Sequence, residues 1–276
     1  MIKADRYFIE NLNEILNNGY WDENSRPKYA DGVEANSKFI TQVFEKYDIS
    51  KNEFPITTLR NTAIKTGIKE ILWIYQQQSN SLDIAHKLGI NWWDEWDIGN
   101  ATIGNRYGYT VNKYNLMNDL LKGLSDNPFG RRHILNLYQY ADLSETKGLY
   151  PCAYETLWSA RKVDDDIFLD VTLVQRSSDY LMANYINKTQ YVALMLMVCS
   201  HLGYKPGVFG HFVQNLHIYD RHFDALNELL AKEPLEVQPT IKLAENKSFS
   251  EFTTDDFIIE NTDKITKLKC KLEIAI

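Results

Sequence analysis

The stretch Asp164-Asp165-Asp166-Ile167-Phe168-Leu169-Asp170-Val171-Thr172-Leu173-Val174 runs without a break into Gln175-Arg176-Ser177-Ser178-Asp179. Ile167, Leu169, Val171 and Leu173 alternate with a period of two, the pattern of a strand with one face in a core. The three aspartates ahead of them suit an exposed hairpin turn. Working outward, His133 to Tyr138, Phe39 to Tyr47 and Phe212 to Tyr219 also read as strands. Helical spacing marks Phe8, Leu12, Ile15 and Leu16, a helix that Asn17-Asn18-Gly19 ends, and again Ile64, Ile68, Ile71, Leu72 and Tyr75. Thr189 to Leu202 is apolar and long enough for a buried helix, and Phe223, Leu226, Leu229 and Leu230 mark an amphipathic one. Residues 22–36 are polar and irregular, a loop. Leu268, Cys270, Leu272, Ile274 and Ile276 alternate to the last residue, which places that end in or beside a sheet. Strands and helices mixed without a regular βαβ rhythm give an α+β fold.

Composition narrows the function. The 276 residues contain no Pro/Gly/Ser-rich linker and no repeat, so one domain spanning 1–276 is expected. A net charge of −7 argues against nucleic acid as the main partner. No apolar run approaches the roughly 20 residues of a membrane helix, and the N-terminus has no signal-peptide core. Cys152, Cys199 and Cys270 have neither disulfide nor zinc spacing, so no metal is expected and the thiols fit a reducing, cytoplasmic setting.

Cys199 and Cys270 lie on apolar patterns, as inert buried cysteines do. Cys152 lies outside any such pattern, directly after Pro151, and a thiolate is a strong nucleophile near neutral pH. Arg176 and Ser177 match phosphate oxygens, a guanidinium fork beside a hydroxyl, although surface arginines commonly serve as salt-bridge partners. Arg26, Arg131 and Arg132 could belong to the same anion site or be solvated. Glu70 interrupts an apolar helical face; a buried carboxyl there would move protons near pH 7, whereas a boundary one would face water. Trp92, Trp93 and Trp96 could stack on a flat heterocycle or fill a core. His217 and Tyr219 lie two apart on a strand and so share a face.

Taken in order, several motifs resemble the thymidylate synthase family. They are Leu149-Tyr150-Pro151-Cys152, Gln175-Arg176-Ser177-Ser178-Asp179, Asn187 and His217-Ile218-Tyr219. Lys69-Glu70-Ile71-Leu72-Trp73, Trp93-Asp94-Glu95-Trp96, Ile103-Gly104-Asn105-Arg106-Tyr107-Gly108 and Arg131-Arg132 support them. The resemblance implies conversion of dUMP to dTMP, with 5,10-methylenetetrahydrofolate as cosubstrate and reductant. It implies Cys152 as the nucleophile that adds to C6 of uracil, with Glu70 and Tyr107 handling protons. It gives Arg26, Arg176 and Ser177 of one subunit, with Arg131 and Arg132 of the other, to the nucleotide phosphate. Gln175, Ser178 and Asp179 of the same motif join the substrate side. Asn187 would read the pyrimidine edge, and His217 and Tyr219 the deoxyribose 3′-hydroxyl. Arg60, Trp93, Asp179 and the carboxylate of Ile276 would contact the folate. The implied architecture is a large, mixed but mostly antiparallel twisted sheet flanked by helices, with two such sheets back to back across a homodimer. Its cytoplasmic members leave the chain's own messenger RNA as the one nucleic-acid partner to consider.

The chain departs from the family pattern at several places. Ala153 stands where many members have a histidine, and Tyr138-Gln139 where Trp-Asn is usual. Ala183-Asn184-Tyr185-Ile186-Asn187 lacks a glycine and a proline of the usual run, and the loop around Arg26 lacks its usual Thr-Gly-Thr continuation. The alternatives are a dUMP hydroxymethylase, in which water meets the intermediate instead of hydride, and a non-catalytic nucleotide- or RNA-binding relative. A cysteine hydrolase pairing Cys152 with His217 would turn over without folate.

Overall fold

In the computed structural model, which describes residues 1–244 and 247–276, the alternating segment forms a central strand of a seven-stranded sheet. The strands in chain order are β1 (Tyr20–Asp22), β2 (Ser37–Asp48), β3 (Ile134–Asn136), β4 (Ala153–Val163), β5 (Asp166–Gln175), β6 (Ser178–Asp179) and β7 (Lys205–Tyr219). Across the sheet the order is β1-β2-β7-β5-β4-β3, with β6 beside β7. The β5–β7 and β6–β7 contacts are parallel and the others antiparallel. A small separate sheet pairs β8 (Thr240–Leu243) with β9 (Phe257–Glu260). The helices are α1 (Lys3–Asn18), α2 (Ile64–Ile71, prolonged by a π turn over Leu72–Gln76), α3 (Leu82–Lys87), α4 (Gly108–Lys113), α5 (Leu116–Asp126), α6 (Tyr140–Glu145), α7 (Asn184–Leu202) and α8 (Phe223–Leu230).

The α+β reading holds, and strand registers show why one face of the sheet is core. Glu45, His211, Leu173, Thr156 and Leu135 lie in one row across β2, β7, β5, β4 and β3, and all five are buried. The row to one side, on the opposite face, is Lys46, Gly210, Thr172, Leu157 and Ile134, and to the other side Phe44 opposes Phe212. Here Phe44 is 52% exposed and Ile134 49%. Successive residues of a strand point to opposite faces, so the two environments are one alternation. The buried face is covered by α7, apolar around its whole circumference and buried continuously from Thr189 to Cys199. Helix α7 also packs against α2, so the sheet, α7 and α2 form successive layers.

Three expectations change. The C-terminal segment is not a strand: Leu268, Cys270 and Leu272 pack against the smaller core cluster beside the sheet. It ends where Ile276 and Lys28 exchange two backbone hydrogen bonds, of 3.0 and 2.8 Å. β3 stops at Asn136, whose side chain takes the Tyr138 N–H at 2.7 Å and turns the chain. β7 starts at Lys205, well before Phe212.

Candidate active site

The β4–β5 hairpin brings distant motif residues together. Ala153 pairs with Gln175, so Cys152, just before β4, lies beside Arg176, just after β5. The Arg176 N–H donates to the Cys152 carbonyl at 3.0 Å. Its guanidinium grips the same turn, donating from Nε to the Pro151 carbonyl at 3.0 Å and from Nη2 to the Tyr150 carbonyl at 2.8 Å. Nη2 also stands 3.4 Å from Cys152 Sγ. Burial pushes the thiol upward from its ordinary value, and the cations of Arg176 and Arg26 oppose that.

Tyr107 closes over the same cysteine, its hydroxyl accepting the Cys152 N–H at 3.4 Å. Its backbone sits at φ 53° and ψ −115° just ahead of α4, a positive φ that residues with a side chain rarely adopt. Gly108 follows because a Cβ there would meet the Ser79 carbonyl oxygen at 2.0 Å. Burial keeps the Tyr107 hydroxyl protonated, well above its usual range. Arg106 is wholly buried and donates to the carbonyls of Ile103 and Thr146 at 3.0 and 2.9 Å, and to that of Lys147. It thereby anchors the loop that delivers Leu149 to Cys152.

Glu70 projects from α2 and is buried. Burial pushes its carboxyl up to about 7, while N–H groups of the neighbouring indoles and the Gln190 amide hold it lower than burial alone would. The Trp92 indole donates directly to it. Trp93 forms an aromatic wall with Tyr107, Trp96 and Trp73, at ring separations of 5.1, 5.5 and 6.1 Å.

Asn187 lies in the first turn of α7, where its Oδ1 accepts from Gln175 Nε2 at 3.2 Å and its Nδ2 donates to Gln190 Oε1 at 2.9 Å. Asp179 Oδ1 accepts the N–H groups of Leu181 and Met182 at 3.0 and 3.1 Å, fixing the turn into that helix. Ser178 Oγ accepts from Asn184 Nδ2 at 3.1 Å. His217 and Tyr219 share a face of β7, rings 5.0 Å apart, and burial lowers the His217 pKa, favouring the neutral ring.

One cleft of about 800 Å³ is lined by Cys152, Glu70, Tyr107, Trp93, Arg26, Arg176, Ser177, Ser178, Asp179, Asn187, His217, Tyr219 and Ile276. That volume lies in the upper part of the range for small-molecule sites, about 300–1,000 Å³. Four expected residues lie outside its lining. Gln175 is buried beneath Asn187 and acts through it. Arg60 turns its guanidinium to the Leu181 carbonyl. Arg131 and Arg132 are exposed on the loop before β3. Sequence reading missed Gln190, whose signal was a polar residue inside an apolar helix, three positions after Asn187 and so on the same side. Among the described residues no cluster of His, Cys, Asp and Glu could hold a metal ion.

The cleft thus joins a nucleophile beside a cation, a carboxyl that titrates near neutrality, an amide with donor and acceptor, and an aromatic wall. Such a set suits nucleophilic addition to a flat heterocycle that carries an anion. Comparison with known proteins agrees. A sequence profile of the thymidylate synthase family matches residues 6–274. The chain is 48% identical to thymidylate synthases of Streptococcus gordonii and Streptococcus pneumoniae over 280 aligned positions, covering 100% of each chain. Its fold resembles the thermostable thymidylate synthase A of Bacillus subtilis, with a TM-score of 0.89, 32% identity and 99% of both chains covered.

Proposed function

Because the chain belongs to the thymidylate synthase family, we propose that this cleft performs the family's reaction with Cys152 as its nucleophile. The reaction is the reductive methylation of dUMP to dTMP, and the protein is a methyltransferase. The cosubstrate 5,10-methylenetetrahydrofolate supplies the one-carbon unit and the hydride, and leaves as dihydrofolate. Arg26, Arg176 and Ser177 hold the nucleotide phosphate, and His217 and Tyr219 hold the sugar. With both ends fixed, the uracil ring lies against Cys152. Sγ adds to C6, and the charge that moves toward O4 is met by the Asn187 amide. Glu70, titrating near neutrality, both gives and takes a proton in the cycle. Tyr107, kept protonated, orders the water that receives the C5 proton. The Trp93 wall, Asp179 and the Ile276 carboxylate position the folate, and Arg60, outside the lining and bound to the Leu181 carbonyl, would have to turn from it to meet the folate tail.

The observation that carries this reading is the placement of Cys152 Sγ, 3.4 Å from Arg176 Nη2, in one cleft with Glu70, Tyr107 and Asn187. The reading extends to a homodimer. The outward sheet face exposes Phe44, Leu157 and Ile134, an apolar surface suited to a second copy. Arg131 and Arg132 are exposed on the loop before the edge strand β3, and in the proposed dimer they reach the partner's phosphate site. No helix among the described residues is long and apolar enough to cross a membrane, and the cytoplasm is the proposed location. Incubation with dUMP and methylenetetrahydrofolate tests the reaction: dTMP and dihydrofolate are expected in equal amounts. Formation of 5-hydroxymethyl-dUMP with tetrahydrofolate, or no folate-dependent turnover, would overturn it.

A further inference from the structure

An asparagine amide can meet a pyrimidine in two ways. With Oδ1 toward N3 and Nδ2 toward the C4 substituent it fits uracil, whose N3–H donates and whose O4 accepts. Turned over, it fits cytosine, whose N3 accepts and whose amino group donates. Selectivity therefore depends on what stops the amide from turning. Gln175 Nε2 donates to Asn187 Oδ1 and Asn187 Nδ2 donates to Gln190 Oε1, so Asn187 is held by one acceptor-seeking and one donor-seeking neighbour. Gln175 could itself turn and reverse the series. Behind it, His211 Nε2 lies 2.5 Å from Gln175 Oε1.

His211 is on the inner face of β7, buried, opposite Glu45 in register and stacked on Phe209 at 13° between ring planes. Burial and the nearby Lys188 cation keep the imidazole neutral, so it carries a single N–H. With that proton on Nε2, His211 can only donate to Gln175. The series then runs one way, from imidazole through Gln175 and Asn187 to Gln190. With a bare Nε2, Gln175 would turn its own N–H to the ring, and Asn187 would turn in response.

We propose that His211, as its Nε2–H tautomer, is a positioning residue that locks the Gln175 and Asn187 amides in the orientation selecting a uracil over a cytosine nucleotide. The inference rests on the nucleotide reading of the cleft and deepens it to specificity.

Equilibrium binding of dUMP and dCMP tests it in wild type, His211→Phe and His211→Trp. Phenylalanine removes the N–H, and its variant should lose about tenfold or more of the dUMP preference, on the order of one buried hydrogen bond to a locked amide. Tryptophan can donate and cannot accept, and should retain the preference. A folded His211→Phe protein that binds both nucleotides more weakly by the same factor would show a packing role only and overturn the proposal. Nitrogen-15 spectra of the histidine rings in the unsubstituted protein decide it without any variant. They should show His211 protonated on Nε2, and protonation on Nδ1 would refute the lock. A protein that prefers dUMP and carries His211 protonated on Nε2, yet makes no dTMP, would count against the reaction while supporting the lock.

Discussion

Glu70→Gln replaces the buried carboxyl by an amide of the same shape that can still accept from Trp92. In the folded protein Glu70 titrates at about 7 against an ordinary 4.5, chiefly because burial penalises its charged form. At about 1.4 kcal/mol per pH unit, that difference costs the folded state roughly 3 kcal/mol once the group is ionised. The sign follows from which state releases its proton first. Below the unfolded value both states hold the proton and there is no cost. Between the two values the unfolded chain is ionised while the folded one is not, so stability falls as pH rises. Above the folded value both are ionised and the cost is constant. Glutamine has no such dependence. The variant should therefore match wild type near pH 4.5 and exceed it by roughly 3 kcal/mol near pH 8, on the order of 10 °C in Tm for a chain of this size. Its turnover should fall by about 10²- to 10⁴-fold, the range for losing a general acid–base group. Urea unfolding at about pH 5 and pH 8, with protein concentration fixed because a dimer would couple to it, reads the gap. A stability gap that is equal at both pH values would refute the buried-carboxyl argument.

Cys152→Ala should keep dUMP binding within a few-fold, since Arg176 still holds the turn through Pro151 and Tyr150, and should abolish dTMP formation; near-normal turnover would exclude Cys152 as nucleophile. Deleting Ile276 removes both backbone hydrogen bonds to Lys28, next to the Arg26 loop. Turnover should drop much more than dUMP affinity, and an unchanged rate would separate closure from this residue. Mixing a Cys152→Ala dimer with an Arg131→Ala/Arg132→Ala dimer should restore activity, because one site of the hybrid regains both parts. No recovery after verified subunit exchange would show that the arginines do not act across the interface. Lys188→Met should destabilise the protein by about 3–5 kcal/mol in urea unfolding, because it leaves the Glu45 carboxylate buried without its cation; a loss below about 1 kcal/mol would mean that the remaining hydrogen bonds to Glu45 suffice.

Legibility in the sequence followed local pattern. β5 was plain because Leu169, Val171 and Leu173 all face the core while their neighbours do not. α7 was plain because it is apolar all round. The hairpin partner β4 was not read: it buries Ala153, Thr156 and Trp158, and a bulge between Ala153 and Glu155 shifts the alternation. α5 buries only Met117, Leu120 and Leu124, a narrow stripe. The C-terminal alternation misled because an extended segment packed on a core shows the same period as a strand without ladder partners. At the site, residues with distinctive chemistry in ordered motifs could be named from the sequence. Gln190 offered only its polar character three positions after Asn187, and His211 offered nothing, since it matters through an amide held by another amide, a relation of space and not of spacing.

Two departures from the family pattern, at Ala183 and Tyr185, share a physical setting at the start of α7. Ala183, where a glycine is usual, sits at φ −103° in a right-handed conformation, so no glycine is needed there. Tyr185, in place of the usual proline, packs edge-on against Phe8 at 4.9 Å and lies under Lys188 Nζ at 3.5 Å from its ring centre. Lys188 pairs with Glu45 at 2.7 Å, and Asn11 and Tyr47 also donate to that carboxylate. A buried pair of this kind is weak evidence for net stability, but removing either partner is costly. It therefore pins the start of α7 against β2 and α1, with Asn187 in the same turn. His211 lies beside Lys188 and opposite Glu45, so this polar cluster and the amide series share a boundary at β7. The loss of a glycine and a proline at the entry to α7 is thus matched by side-chain bonds that hold the same turn from below. Position 187 stays fixed although the local sequence that usually fixes it has changed.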